Sequence, residues 1–439
     1  MHSVLTHCLL TGTVHSVLTH CLQGLSPTDI KTAVAAVSKA GMNNCDGSCG
    51  GANTADMATI TLQLGLVTGS SATVSSALTR LYGGLAVVAQ PAEGIQADSS
   101  FHQHGAEELT GSYGAVFTNR MLQVYQLTAN TSLTMPPDKL ATFASLLLDG
   151  QQWVTTASGD WALAVIGRSI SSPGRHRVGF SAAALRSLPV RRDEMGAFAS
   201  VLEESGANRA GSAGVIGNRH YWDSDTMVHR RAGFVLVVRM RSKRTVAARC
   251  INGACLNAQH VADGSIQLYP TEAAATRYLD MPAVWDWHAV PGVTAPTGTT
   301  FLACDPKKSE AIGYQWPLLM GGAKFVGGAS DGECGATAMQ FGATGLLKNA
   351  GFTLSRSHFA FDGAFVLLGA GLRSIGSSLR VATTLANERL SGSVVMDDVG
   401  GSTGQTVLAP VRPATSQSRS LICCTIGTAT TKMLSYWLR

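Results

Sequence analysis

"SGANRAGSAG", residues 205–214, divides the chain into two textures. Its glycines and small residues read as a linker. Ahead of it, helical signals dominate. "SPTDIKTAVAAVSKAGM" (26–42) offers Ser26 as an N-cap, Pro27 at the first helical position and Asp29 two residues later. Apolar Ile30, Ala33, Val34 and Val37 then follow at helical spacing, and Gly41 is the stop. "NTADMATITLQLGLVTG" (53–69), "TVSSALTRLYGGLAVVA" (73–89), "YGAVFTNRMLQVYQLTA" (113–129) and "PDKLATFASLLLDGQQWV" (137–154) repeat the pattern. Behind the linker come short β-like runs split by turns: "GFVLVVRM", "SIQLYP", "GAKFVGGASDG", "HFAFDGAFVLLGAGL" and "LRVATTLAN". A helical block followed by a strand block predicts an α+β multidomain chain, a helical array or toroid and then a large antiparallel β-sandwich. The expected divisions are an irregular start at 1–24, a helical domain at 25–205, a β domain at 206–415 and a tail at 416–439 that fits neither pattern.

Composition narrows the function classes. The 439 residues give ample chain for a large core. Charged residues make up 14%, too few for a disordered or strongly charged binding protein. The net charge of +5 permits an acidic partner without demanding one. The cluster Arg239, Arg241, Lys243 and Arg244 follows an apolar run and reads as a strand end with a solvated turn. No nucleic-acid-binding signature accompanies it, so no nucleic acid is expected. Ten cysteines are too sparse for a disulfide scaffold and lack paired zinc spacing, which leaves free thiols or one or two disulfides. No run of 18 apolar residues exists, so no membrane span is expected. "HSVLTHCL" occurs at 2–9 and again at 15–22, a short duplication and not a solenoid; its His-Cys pairs are not read as a metal site.

The chemistry concentrates in "SFHQHGAEELTGSYG", residues 100–114. His102, His104 and Tyr113 lie close together in a chain poor in charge. Gly105, Gly111 and Gly114 permit sharp turns and close approach of a ligand. Read on its residues alone, the stretch is either a loop with local hydrogen bonds or a site.

"SFHQHGAEELTGSYGAVF" resembles the signature of the family eight polysaccharide lyases, which include hyaluronate, chondroitin AC and xanthan lyases. "GGANTADMA" (50–58), "LLLDGQQWV", "IGRSISSPG" (166–174), "MVHRRAGF" (227–234), "MPAVWDWHAVPGVT" (281–294) and "GGASDGECGATAM" (327–339) are similar to family motifs in the same order. The resemblance runs from about 25 to about 400. It implies an incomplete α/α toroid, truncated relative to the family, followed by antiparallel β-sandwich domains. It implies β-elimination at a uronate of an acidic polysaccharide, without metal or cofactor, by an extracellular enzyme expected to be monomeric. By match to the motifs, Asn53 and His104 would neutralise the uronate carboxylate. Tyr113 would act as base and then acid, and Arg168 would stand beside it. Each residue has another reading. Asn53 also suits an N-cap, Arg168 an ion pair, and His102 a structural role. Arg175, Trp285 and Trp287 are candidate substrate contacts, the tryptophans as sugar platforms or as core.

Two departures from the family pattern bear on activity. The second arginine of "GRSISR" is Ser172 here, with Arg175 and Arg177 nearby as possible substitutes. The glutamate of the family's "NGEN" falls at Ala254 in "INGACL". The family pattern also has helices ahead of "GGANTADMA" and a last strand domain that this chain is not expected to supply. A catalytically impaired relative that only binds glycans is the alternative reading. The choice among polysaccharides leans slightly to chondroitin through "MPAVWDWHAVPGVT".

Overall fold

The computed structural model describes residues 26–40, 50–172, 176–207, 214–247, 260–271, 278, 282, 285–296, 325–341, 352–374, 381–389, 394–396, 406–408, 421–427 and 434–438. The helical part comprises α1 (Pro27–Ala40), α2 (Gly51–Thr68), α3 (Ser71–Gly83), α4 (Tyr113–Thr128), α5 (Pro137–Ser145), α6 (Ala182–Ser187) and α7 (Arg192–Ala207). Helix α1 starts as its sequence predicts. Ser26 Oγ accepts from the Asp29 N–H at 3.2 Å, and Asp29 Oδ2 accepts from the Ser26 N–H at 3.2 Å. Helix α3 begins earlier than expected because Ser70 is its cap, its side chain accepting from Thr73 N–H. It also ends at Gly83, and the following residues turn so that Val87 bridges Ile95. Helix α5 runs into a π-helical turn, Leu146–Gln151.

The β part is built in layers. Strands β4 (Gly217–Tyr221), β5 (Thr226–Arg231), β6 (Phe234–Arg239) and β7 (Ser265–Pro270) form an antiparallel sheet in chain order. A second sheet has the order β17-β12-β11-β10-β9 (Leu434–Leu438, Phe365–Ser374, Phe352–Ala360, Gly335–Phe341, Val326–Ser330). Strands β16 (Leu421–Gly427), β13 (Val381–Arg389) and β8 (Thr294–Pro296) form a third, and β14 (Val394–Met396) pairs with β15 (Thr406–Leu408). Within 416–439, read from the sequence as a tail outside the sandwich, residues 421–427 and 434–438 thus lie in these sheets. The run "LICCTIG" is the apolar, β-branched composition that suits such a strand.

The run "FVLVVR" of β6 is buried on both faces, and its alternation assigns the two layers. Leu236 and Val238 join Met227, Met339, Phe341, Phe352 and Leu354 in an apolar core between the two large sheets. Val235, Val237 and Arg239 face the helical part. That second face carries long polar side chains that bond helical-domain backbone. Tyr221 Oη donates to Gly150 O at 2.8 Å, and Arg230 Nη1 donates to Trp153 O and Thr155 O at 2.8 and 2.6 Å. Tyr269 Oη accepts from Leu163 N–H at 2.8 Å, and Gln267 Oε1 accepts from Ala164 N–H at 3.0 Å. These bonds satisfy the groups named across the layer boundary, where each would cost about 1–3 kcal/mol if left unpaired. The basic cluster is a strand end followed by a turn with Lys243 exposed, as its sequence reads, but two of its arginines depart from a solvated role. Arg239 and Arg241 are buried and paired with Glu108 and Asp263, and Arg244 pairs with Asp225. Arg239 and Arg241 turn inward because each has a buried carboxylate partner, distant in sequence for Glu108 and therefore invisible to local pattern.

Candidate active site

The 94–110 stretch is a small antiparallel sheet, β1 (Gly94–Ile95), β2 (Phe101–Gln103) and β3 (Glu107–Glu108). His104 stands just past β2 with φ 58°, and Gly105 follows with φ 80°. Both lie in the left-handed region, so the chain reverses within two residues. Tyr113 is the first residue of α4. The turn back onto α4 brings the two rings into edge contact, centroids 4.8 Å apart and planes at 81°. Arg168 arrives from a 3-10 turn, Gly167–Ser171. Its Nη2 donates to Tyr113 Oη at 2.6 Å, and its guanidinium carbon lies 5.7 Å from the ring centre. Gly167 has φ 50°, and a Cβ there would sit 2.3 Å from Leu109 Cδ2 and 2.8 Å from Glu107 Oε1. Only glycine lets that turn press onto the Tyr113 segment.

Asn53 lies in the first turn of α2. Its possible capping role is not the one taken: the helix begins at Gly51 and the N-cap is Gly50. No partner for the Asn53 side chain is found among the described residues. The start of α2 is fixed instead by Gln103, whose Oε1 accepts from Ala52 N–H at 2.9 Å and whose Nε2 donates to Gly50 O at 3.3 Å. Gly51, φ 50°, leaves room for this: a Cβ would lie 2.2 Å from Gln103 Oε1. Asn53 is thereby carried on the segment bonded to the residue before His104. Asn53, His104, Tyr113 and Arg168 are all half-buried.

His102, Trp285 and Trp287 lie elsewhere. His102 points away from Tyr113 into the interface with the β part, where its Nε2 meets Ser224 Oγ at 2.8 Å. Burial, and then the nearby Arg239 charge, push its pKa down to about 3, so it stays neutral. Trp285 is buried, donates Nε1–H to Asn387 O at 2.6 Å, and packs edge-on against Trp287 and Tyr278. Trp287 is half-buried, with Nε1–H on Pro282 O at 3.1 Å. The rings form a packed aromatic group in the β part. Arg175 and Ala254 lie outside the described residues. Arg177 does not replace the missing arginine at Ser172. It donates to Ser158 O at 2.6 Å and Ser205 Oγ at 3.1 Å, holding its own loop to α7. Ser172 itself closes the 3-10 turn through its N–H on Ser169 O at 2.9 Å.

Sequence reasoning passed over Gln103, Glu108 and Arg239. A glutamine between two histidines and two adjacent acids inside a strand were the signals available. Glu108 is fully buried. Its Oε2 accepts from Thr226 Oγ1 at 2.7 Å and from Arg239 Nη1. Burial pushes its pKa up to about 7 against the pull of Arg239 and Thr226. Among the described residues no group of three or more His, Cys, Asp or Glu side chains could hold a metal ion. What the site offers is a phenol, a guanidinium, an imidazole and a carboxamide, a set suited to proton transfer and to hydrogen bonding of an anion.

The N terminal alpha-helical domain of polysaccharide lyase family 8 matches residues 13–189, and the family's super-sandwich domain matches residues 216–423. Chondroitinase-AC of Pedobacter heparinus is 27% identical over 358 residues, covering 81% of this chain and 48% of that protein. Hyaluronate lyase HylB of Enterococcus faecalis is 23% identical over 379 residues, covering 77% and 36%. The chain thus spans about half or less of the length of these curated relatives. The chondroitin AC lyase of Streptomyces coelicolor A3, solved with chondroitin sulphate, superposes with a TM-score of 0.72 at 20% identity, covering 90% of this chain and 60% of that one, a likeness of fold. Two domain matches in order, together spanning most of the sequence, establish that the chain belongs to polysaccharide lyase family 8.

Proposed function

We propose that this chain cleaves uronate-containing acidic polysaccharides of the chondroitin, hyaluronan or xanthan type by β-elimination. The observation that carries the reading is the 2.6 Å contact between Arg168 and Tyr113, with His104 edge-on to the same ring. The C5 proton of a uronate is very weakly acidic, because its loss adds negative charge beside a carboxylate. Asn53 and His104 hydrogen-bond that carboxylate and stabilise the enolate-like intermediate. Tyr113 Oη takes the C5 proton. The C4–O bond then breaks, a C4=C5 double bond forms, and Tyr113 returns the proton to the departing glycosidic oxygen. Arg168 donates to the oxygen that exchanges the proton and stabilises negative charge there. The arrangement uses no metal. The enzyme acts outside the cell, as a monomer, on substrates that bring the negative charge.

A second reading is a relative that binds glycans without cleaving them. It is favoured by Ser172 in the place of an arginine, with Arg177 committed to Ser158 and Ser205. One assay separates the two. The purified chain is incubated with chondroitin sulfate, hyaluronan and xanthan separately, and the ultraviolet absorbance of the unsaturated uronate is followed. Absorbance that rises with the native chain and not with Tyr113→Phe supports the lyase. Binding without absorbance in a folded protein supports the second reading.

A further inference from the structure

We infer that Arg239, a residue of the β-sheet, is a positioning residue of the candidate site: its one guanidinium grips both segments that carry the reacting side chains. Nη1 bonds the carboxylate of Glu108, which lies between His104 and Tyr113 in the chain. The same Nη1 donates to Ala164 O at 3.0 Å, in the turn Leu163–Val165 just ahead of Arg168. Nη2 donates to Val246 O at 3.4 Å, and Val246 in turn bridges Glu107 and donates its N–H to Ala106 O at 3.0 Å. The His104–Tyr113 segment and the Arg168 segment meet directly at Gly111 N–H on Val165 O, 2.9 Å. Arg239 therefore holds the two sides of the contact on which the Tyr113–Arg168 pair depends, and holds them from the other domain.

Arg239 and Glu108 are both about fully buried. Such a pair is a poor way to gain stability, since apolar residues of the same volume often do as well. What an apolar pair cannot do is donate to Ala164 O and Val246 O while neutralising a carboxylate. A lysine cannot do it either, because it lacks the planar fork of donors. Arg230 provides the contrast. It is equally buried on the same face of the sheet and crosses the same interface, and it donates to the backbone at Val215, Trp153 and Thr155, segments that carry no site residue.

The inference rests on the lyase reading for its kinetic consequence but not for its structural one, and the test uses both. Arg239→Lys and Arg230→Met are compared with the native chain. Arg239→Lys is expected to lower kcat by about 10–100-fold, the scale of a small misplacement at a reacting centre, with KM held within about twofold. Arg230→Met is expected to leave kcat within about threefold at a temperature where it is folded. Independently of turnover, tyrosine labelled with carbon-13 at Cζ reports the Tyr113 phenol, its signal assigned by Tyr113→Phe. That signal is expected to move in Arg239→Lys in the direction it moves in Arg168→Lys, and to stay put in Arg230→Met. If the native chain cleaves nothing, the lyase reading falls and the Tyr113 signal still decides the positioning role. An unmoved signal in Arg239→Lys, or equal movement in Arg230→Met, overturns it. Should Arg239→Lys fail to fold, Glu108→Gln, which keeps the shape and removes the charge, is read against the same two outcomes.

Discussion

The Tyr113 hydroxyl accepts a 2.6 Å hydrogen bond from Arg168 Nη2, and the guanidinium lies 5.7 Å from the centre of the same ring. No ion pair of Arg168 is found among the described residues, so its charge is directed at the phenol. If that charge serves the phenolate in proton transfer, its removal acts on the chemical step and not on substrate capture. Arg168→Ala is expected to lower kcat by about 10²–10³-fold with a much smaller change in KM. Initial rates on whichever polysaccharide the native chain cleaves check this. A variant whose KM rises while kcat holds would instead make Arg168 a substrate-binding group.

Asn53 gives a separation that few site residues offer. Its helix starts at Gly51 and is capped by Gly50, and the amide caps nothing. Alanine is the better helix former by about 0.5 kcal/mol. Asn53→Ala is therefore expected to leave the melting temperature unchanged or slightly raised while activity falls. A loss of stability of the size of a lost cap, about 1 kcal/mol, would restore the structural reading of this residue.

The sequence made the α-then-β order legible because each part writes its own period. The capping box Ser26–Asp29 and the run "SIQLYP" of β7 fall where their patterns put them. The site was legible as residues and not as geometry. His104, Tyr113 and Arg168 could be named from motifs, but their convergence depends on two left-handed positions and on Gly167, which no local pattern announces. The buried face of the β4–β7 sheet was not legible. Arg239 read as part of a strand end with a solvated turn because Glu108 and Ala164, which it bonds across the interface, lie 131 and 75 residues away. Trp285 stood open between platform and core, since an exposed and a packed indole look alike in sequence.

Gly167 is the residue whose replacement should couple stability to activity. A side chain there meets Leu109 Cδ2 at 2.3 Å and is held at φ 50°. The backbone strain alone is worth about 1–3 kcal/mol. Gly167→Ala is expected to lower stability by at least that amount in denaturant melts, and to displace Arg168 so that the residual folded enzyme turns over slowly. Normal turnover per folded molecule would show that the turn can shift without moving the guanidinium.

Buried histidines make the fold lose stability in acid. Burial lowers the pKa of His102 to about 3, with Arg239 adding to the effect, and that of His358 to about 3, with Arg356 adding. Each titrates near 6.5 when unfolded. Between these values the unfolded chain binds protons that the folded chain refuses, so stability is present above 6.5 and is lost as pH falls toward 3. The loss is at most about 1.4 kcal/mol per pH unit for each histidine. Glu108 acts in the other direction. Its pKa is raised to about 7, so its contribution is present below about 4.5 and fades as pH rises through 7. Burial also lowers His220 and His229, which adds to the loss on acidification, and raises Asp98 and Asp223, which opposes it. His102→Gln, which retains a group able to meet Ser224 Oγ, isolates one share of it. Denaturant midpoints measured from pH 7.5 down to pH 4 are expected to fall less steeply for this variant than for the native chain. Parallel curves would mean that His102 is protonated in the folded state, and that the interface opens to water as acid is added.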